Sequence, residues 1–440
     1  MEAVLTRNIR AGREPLDIGA YEKAGGYQSL RKALKLAPGE IVEMVKQSNL
    51  RGRGGGGFPT GIKWAAIPQG DDARPPAYLL VNADEMEPGT FKDRLLMEGD
   101  PHQCIEAFII SAYAMQAQAV FIFLRAAYHE SARRLARALA EARDKGYLGQ
   151  KILGSDYSLD IVLHRSAGRY ICGEETSLLN AMEGVRPIPR AKPPLPQVAG
   201  LWGQPTVVNN VETLCNVPHI VERGADWFNG VSLAEGKDGG TKLYGASGRV
   251  NRPGLWELPM GTPAREILED YAGGMREGYS LRAFQPGGAS TQFVGADKLD
   301  TPMDFDSMSQ AGARLGTGTM IVLDDKTCPI GALANLEHFF AQESCGWCTP
   351  CREGLPWTER LLLGIENGDG RAEDIDVLSL HTRFLSGKNT FCAHAPGAMM
   401  PLESGMAIFR DEFDEHIKAK RCRFRGSGFG VRDSAREKNG

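Results

Sequence analysis

The chain offers no uninterrupted stretch of about 20 apolar residues, the length a helix needs to span a bilayer. The best candidate, 105–124, is broken by Glu106, Gln116 and Gln118. It reads as a buried helix followed by a buried strand. The segment Met1 to Arg7 holds no long apolar core and no cleavage pattern, so no export signal is expected. Excess charge is also scarce. A net charge of −4 gives no basis for nucleic-acid binding. No internal repeat is present. The cysteine count of nine is odd, and without an export signal a disulfide framework is not expected. Reduced thiols place the chain in the cytoplasm.

What is there describes a soluble globular protein. The chain is 42% hydrophobic and 24% charged, and its 440 residues allow two to four domains. Charge is uneven: residues 417–440 carry eight Lys/Arg against two Asp/Glu. This reads as a solvated, partly disordered basic tail rather than a nucleic-acid arm.

The sharpest signal is Cys345-Gly-Trp-Cys348-Thr-Pro-Cys351. A C-x2-C-x2-C run aims three thiolates into one small volume, which suits a cubane iron–sulfur cluster with its four thiolate ligands. In the bacterial ferredoxin run a fourth cysteine follows after three residues; here that position is Leu355. Cys392, in Thr390-Phe391-Cys392-Ala393-His394, is the expected fourth ligand. Structural zinc is the alternative. It favours paired C-x2-C knuckles separated by a longer loop, and three ligands within seven residues is poor zinc geometry. A [4Fe–4S] cluster moves one electron at a time, so redox work is expected.

Apolar, β-branched-rich runs at 77–81, 119–124 and 159–163 alternate with helical patterns near 103–115 and 129–145. Helical periodicity also marks 20–50. Short apolar strands alternating with helices predict an α/β parallel sheet covered on both faces. Residues 187–205 are proline-rich and should be extended. From about 241 the texture changes. Strands near 242–250, 255–258 and 320–323, with a short helix at 263–271, predict a small α+β domain with no evident chemistry. Residues 330–416 are helical, with the cluster cysteines at loops and helix ends.

Four loops carry candidate binding groups. The first is Gly52-Arg53-Gly54-Gly55-Gly56-Gly57-Phe58. Its Gly52-x-Gly54-x-x-Gly57 string resembles a dinucleotide fingerprint, but no strand precedes it. Its glycines still let backbone N–H groups approach an anion, with Arg53 and Lys63 adding positive charge. The second is Asn82-Ala83-Asp84-Glu85-Met86-Glu87, directly after a strand, where open α/β sheets bind ligands. The third, Tyr170-Ile171-Cys172-Gly173-Glu174-Glu175, opens a helix that its acids should stabilise. The fourth is Asn209-Asn210, whose amides suit the polar edge of a flavin. Taken singly, each loop also has a plain structural reading, as a linker, a charged turn, a helix start and a surface turn respectively. Together with a one-electron cluster they point to a nucleotide hydride donor. A flavin converts such an electron pair to single electrons.

These motifs, over residues 20–416, make the chain resemble the NADH-binding flavoprotein subunits of bacterial respiratory complex I, the F subunits of NADH:quinone oxidoreductase. The resemblance rests on the glycine loop with Lys63-Trp64, the 82–90 loop, Tyr170–Thr176, Asn209–Thr213, and Glu343–Gly354 around the cysteines. It implies a Rossmann-like FMN domain over 1–235, a β-grasp-like domain over 236–325, and a helical [4Fe–4S] domain over 326–416, followed by the tail. It implies FMN held by Gly54, Gly55, Gly57, Lys63, Asn82, Asp84, Tyr170, Gly173, Glu174, Asn209 and Asn210. Phe58 would lie against the nicotinamide of NADH, Glu87 beside flavin and nicotinamide, and Glu175 near the adenosine ribose. Lys192 would be a cationic neighbour. The cluster ligands fall on Cys345, Cys348, Cys351 and Cys392.

Gly56 stands where the family usually has Ala. Ala66 and Leu195 stand where larger side chains are common near the adenine. The implied partners are a thioredoxin-like [2Fe–2S] subunit and the large iron–sulfur subunit of the peripheral arm. The chain itself would not insert into the membrane. It would sit peripherally on the cytoplasmic side of the inner membrane. Two alternatives stand beside this reading. One is the diaphorase subunit of a soluble NAD-linked hydrogenase or formate dehydrogenase. Such relatives often carry an extra cysteine-rich segment, which Cys104, Cys172, Cys215, Cys328 and Cys422 do not form. The other is a non-catalytic scaffold whose metal braces the helical domain.

Overall fold

The structure, a computed structural model, describes residues 3–424. Strands β1 (Tyr78–Ala83), β2 (Ala119–Leu124), β3 (Asp160–Arg165) and β4 (Thr206–Asn210) form a parallel sheet in the order β3-β2-β1-β4. The helices Pro101–Ala114 and His129–Asp144 make the crossovers between β1, β2 and β3. Strand β1 is hydrogen-bonded on both sides, and Leu79, Leu80 and Val81 are fully buried. This is why it reads as a continuous apolar run rather than an alternating one. The chain leaves β1 toward β2 on one side, and β4 pairs on the other. The carboxyl ends of β1 and β4 therefore flank a topological switch point, where open sheets of this kind bind ligands. The register sets Val81 beside Asn209 and Asn82 beside Asn210.

The membrane-like run resolves as expected, into the Pro101–Ala114 helix and β2. No helix among the described residues is long and apolar enough to cross a membrane. Glu106, which interrupts that run, is fully buried. It accepts hydrogen bonds from Tyr21 Oη at 2.7 Å, Tyr27 N at 2.9 Å and Leu30 N at 3.1 Å. One carboxylate thus ties two N-terminal helices, Ile18–Lys23 and Gln28–Ala33, to the sheet layer. Glu106→Leu strands three buried donors, each costing about 1–3 kcal/mol. The first chemical-denaturation transition is expected to move to lower denaturant by an equivalent of about 3 kcal/mol or more. An unchanged midpoint would mean the carboxylate does not carry this junction.

A second sheet has the mixed order β6-β5-β9-β7-β8. Its strands are β5 (Thr241–Ser247), β6 (Gly254–Pro259), β7 (Leu281–Gln285), β8 (Val294–Gly295) and β9 (Thr319–Asp324). Its core holds Tyr244, Phe284 and Met320. The helices Pro329–Glu343, Thr349–Asn367, Ala372–Phe384, His394–Ile408 and Arg410–Ala419 complete the chain.

The end of the region expected to be helical, 330–416, is two helices that meet at Phe409, and the expected tail begins inside the second. Its remainder, 425–440, lies outside the described residues. The proline-rich segment is extended except for short turns at Pro196–Ala199 and Leu201–Gly203. Strand β4 was not foreseen. Its apolar run is only Val207-Val208, too short to register by periodicity, and it ends in the asparagine pair read as a loop.

Candidate functional site

The carboxyl ends of β1 and β4 open into a cleft of about 470 Å³, lined by every residue that the resemblance assigns to FMN or NADH contact, though not by Arg53, Ala66 or Leu195. The glycine loop forms one wall, between the helices Pro38–Gln47 and Thr60–Ala65. Gly55 and Gly57 adopt positive φ, and a Cβ on Gly57 would sit 2.6 Å from the Phe305 ring. Only glycine permits that turn and that approach. Phe58, at the loop's end, is 57% exposed. An aromatic face left open at the mouth of a cleft is free to lie against a flat ring.

Arg53 corrects the sequence reading. It is fully buried and turns away from the cleft, pairing with Asp238 at 2.9 Å and donating to the Gly239 carbonyl at 2.6 Å. It fastens the loop to the second sheet's segment and adds no charge to an anion site. The cleft's cations are Lys63, Lys192 and Arg314 at its rim and Lys92 beneath it.

The acidic loop divides its labour. Glu85 accepts from the Asp93 and Arg94 amides and from Tyr128 Oη, capping the Lys92–Gly99 helix. Burial and the Asp93 carboxylate raise it to about 7. Glu87 accepts from Tyr170 Oη at 2.6 Å and from Ser290 N at 2.6 Å. Burial raises its carboxyl, against these bonds and Arg314. Asp84 is raised to about 6 by burial, with Ser166 donating to Oδ1 at 3.0 Å. Its Oδ2 is buried with no protein partner. An orphaned acceptor in a polar cleft is matched by a ligand's hydroxyl or N–H donor, and a flavin mononucleotide carries both.

The asparagines are not a surface turn. Asn209 is 7% exposed and accepts from the Trp64 indole at 2.8 Å. That bond occupies its carbonyl oxygen and leaves its amide N–H groups for a ligand. Asn210 lines the cleft, but its side chain is engaged with Asp93, Lys92 and the Glu212 amide, capping the Val211–Cys215 helix. Glu174 caps the Glu175–Met182 helix by accepting from the Thr176 and Ser177 amides, as predicted. Glu175 is held between Lys63 Nζ at 2.7 Å and Lys192 Nζ at 2.8 Å. Burial pushes its carboxyl up, but the two lysines outweigh this and hold it below the usual range.

Sequence reasoning missed the second sheet's contribution. Gly287, Ser290, Arg314, Gly316 and Thr317 line the cleft. They come from the loops around β7 and β9, in the region expected only to pack. No motif marked them. In the fold, Gly288 brings this loop against Glu87, where a Cβ would sit 2.5 Å from its side chain.

The four predicted cysteines line one smaller cavity together with Ile171, Trp347, Phe391 and His394. Cys348 stands at the cap position before the Thr349–Asn367 helix without a side-chain capping bond, and Cys351 lies in its first turn. Burial and the neighbouring thiols raise Cys351 to about 12 and Cys392 to about 11. Cationic iron would hold thiols gathered this way as thiolates. Cys392 and His394 also line the large cleft. One short segment is thus shared by both cavities.

Fold and site together define a class: flavin- and iron–sulfur-bearing dehydrogenases that split a hydride's electron pair. The family model described as the Nuo51 FMN-binding domain matches residues 45–219. That of the NADH-ubiquinone oxidoreductase-F iron-sulfur binding region matches 331–416, and an SLBB domain matches 246–294. The F subunit of the Salmonella typhimurium NADH-quinone oxidoreductase is 53% identical over 415 residues, 94% of this chain and 93% of that protein. Its Escherichia coli counterpart is likewise 53% identical over 415 residues, with the same coverage. The F 2 subunit of the Rhizobium meliloti enzyme is 50% identical over 424 residues, 96% of this chain and 99% of its own. The crystal structure of an NAD+-reducing [NiFe]-hydrogenase in its H2-reduced state superposes with a TM-score of 0.78 at 32% identity. The match covers 90% of this chain and 65% of the hydrogenase chain, so this chain spans less than two thirds of that protein. The chain belongs to the family of NADH-quinone oxidoreductase F subunits.

Proposed function

We propose that the chain is the electron-input component of an NADH:quinone oxidoreductase. The observation that carries this is the common wall. Cys392 lines both the nucleotide cleft and the four-thiol cavity. When bound, FMN accepts hydride from NADH and passes electrons singly to a [4Fe–4S] cluster, which sends them onward.

The chain's own residues bind and orient. Asn82, Asp84, Asn209 and the glycine loop hold the flavin, and Phe58 faces the nicotinamide at the mouth. Glu87, fixed by Tyr170 and Ser290, sets the polarity beside the two rings. No side chain needs to act as nucleophile, so rate comes from placement and electrostatics. Cys345, Cys348, Cys351 and Cys392 hold the cluster.

Trp347 and Phe391 pack edge to face at 4.2 Å beside the thiols and are 46% and 40% exposed. This apolar cap is the exit face, and the thioredoxin-like [2Fe–2S] subunit and the large iron–sulfur subunit are the proposed receivers. Through them the chain sits at the cytoplasmic side of the inner membrane. The proposed divisions between the FMN, β-grasp-like and cluster domains are at 235 and 325. The diaphorase alternative gains support only from the hydrogenase likeness, which is weaker than the likeness to the quinone oxidoreductase relatives.

NADH-dependent reduction of ferricyanide by the purified chain tests this reading. Activity should fall in parallel with FMN content as the flavin is stripped. Activity that survives complete stripping would refute it. A second expectation concerns pH. Ligand donors on Asp84 favour its carboxylate, so FMN affinity should weaken as pH falls through about 6, by about tenfold per unit at the acid end. Flavin fluorescence quenching measures this. Asp84→Asn should retain only the slope set by the FMN phosphate; identical slopes would remove Asp84 from the site.

A further inference from the structure

Four side chains remote from the cleft converge at the far end of the helical region. Cys328 caps the Pro329–Glu343 helix, and Glu366 lies in the last turn of Thr349–Asn367. His416 lies in the last turn of Arg410–Ala419, and Cys422 follows that helix. Their ligand atoms all lie within 4.8 Å of one another. All four are buried, at 1–6% exposure.

The distances bring the ligand atoms to, or just inside, the spacing of a single ion's shell. Cys328 Sγ is 2.9 Å from Glu366 Oε2 and 3.4 Å from His416 Nε2, and Nε2 is 3.4 Å from the same carboxylate oxygen. Tetrahedral zinc with bonds of about 2.0–2.3 Å sets its ligand atoms roughly 3.3–3.8 Å apart. His416 Nδ1 donates to the Glu412 carbonyl at 2.7 Å. A carbonyl only accepts, so Nδ1 holds a proton, and it is Nε2 that faces the group and would bind an ion once it carries no proton. Outer partners orient metal-binding imidazoles in this way.

We propose that Cys328, Glu366, His416 and Cys422 form a structural zinc site separate from the iron–sulfur cluster. Two thiolates and an imidazole select a borderline transition ion, since calcium and magnesium require oxygen shells. Four protein ligands leave no open position, so the site is closed rather than catalytic. Binding releases the two thiol protons to solvent, together with any proton His416 shares with Glu366 before the ion enters. Zn2+ does not change oxidation state.

The site lies roughly 22 Å from Cys351 along the Thr349–Asn367 helix. That helix carries Cys351 near one end and Glu366 near the other. The Pro329–Glu343 helix runs from Cys328 toward Cys345. Zinc would pin the distal ends of the two helices that present the cluster ligands, and would bind the segment after Ala419 to them.

Metal analysis of the full-length holoprotein, purified anaerobically under reducing conditions, tests this. One zinc per chain is expected beyond the cluster iron. Cys422→Ala and His416→Gln should each lower zinc occupancy by about tenfold or more, with iron and FMN unchanged. Co2+ added to the chelator-treated wild-type chain should give the d–d absorption of a tetrahedral thiolate site, at wavelengths beyond the flavin bands. This readout holds even if the variants fail to fold. A wild-type chain that takes up neither Zn2+ nor Co2+, variants that retain zinc at the wild-type level, or a Cys328–Cys422 disulfide in the anaerobic protein would each overturn the proposal.

Discussion

Cys392→Ala is expected to leave FMN in place and NADH able to bleach it, while electron output collapses. Cys392 is the one proposed cluster ligand outside the 345–351 run, and it stands in the wall shared by the two cavities. Three remaining thiols cannot complete a four-thiolate shell. Iron content should drop, and NADH-driven quinone reduction in the assembled complex should fall on the order of 100-fold or more, because no one-electron acceptor remains behind the flavin. Flavin content should stay at the wild-type level, since the residues proposed to hold it come from other segments. Iron analysis, flavin fluorescence after extraction and quinone reductase assays check the three parts. A variant that keeps full iron and full output would remove Cys392 from the ligand set.

The second large effect concerns coenzyme choice. Glu175 sits between Lys63 and Lys192 on the cleft wall, and the two lysines hold its carboxylate ionised. A carboxylate near the adenosine ribose repels a 2′-phosphate. Glu175→Gln removes that repulsion and frees two lysines to attract the phosphate. Both changes act in the same direction, so kcat/KM for NADPH should rise on the order of ten- to a hundredfold. Turnover with NADH should survive, since hydride transfer occurs at the opposite end of the coenzyme. If NADPH turnover stays flat while NADH turnover survives, Glu175 does not guard the ribose.

How much of this was legible in the sequence depended on whether the signal was local. The cysteine run was local, and spacing alone supplied Cys345, Cys348 and Cys351. Strands β1 and β2 were legible because sheet burial leaves continuous apolar runs, and the edge strand β3 because of its Ile161-Val162-Leu163 core. Strand β4 was hidden because only Val207 and Val208 mark it. The asparagine pair consequently looked like a turn, although its place beside β1 is what brings Asn209 into the cleft.

Arg53 misled for a related reason. A cation in a glycine loop suggests an anion site, but its partner Asp238 lies far along the chain and draws it inward. Ser290 and Arg314 were invisible because they join the site only through tertiary docking of the second sheet. Cys328 and Cys422 belong to the same class. Each looks isolated in sequence, and only the packing of the helices gathers them with Glu366 and His416.

The central claim is that one chain joins an electron-pair acceptor to a single-electron carrier across a shared wall. Anaerobic absorbance spectroscopy of the purified chain, before and after NADH, tests it most directly. The account predicts a yellow-brown protein whose flavin bands and broad iron–sulfur absorption both fall when NADH is added. A colourless protein containing zinc and no flavin, or a coloured one whose spectrum NADH does not change, would contradict it.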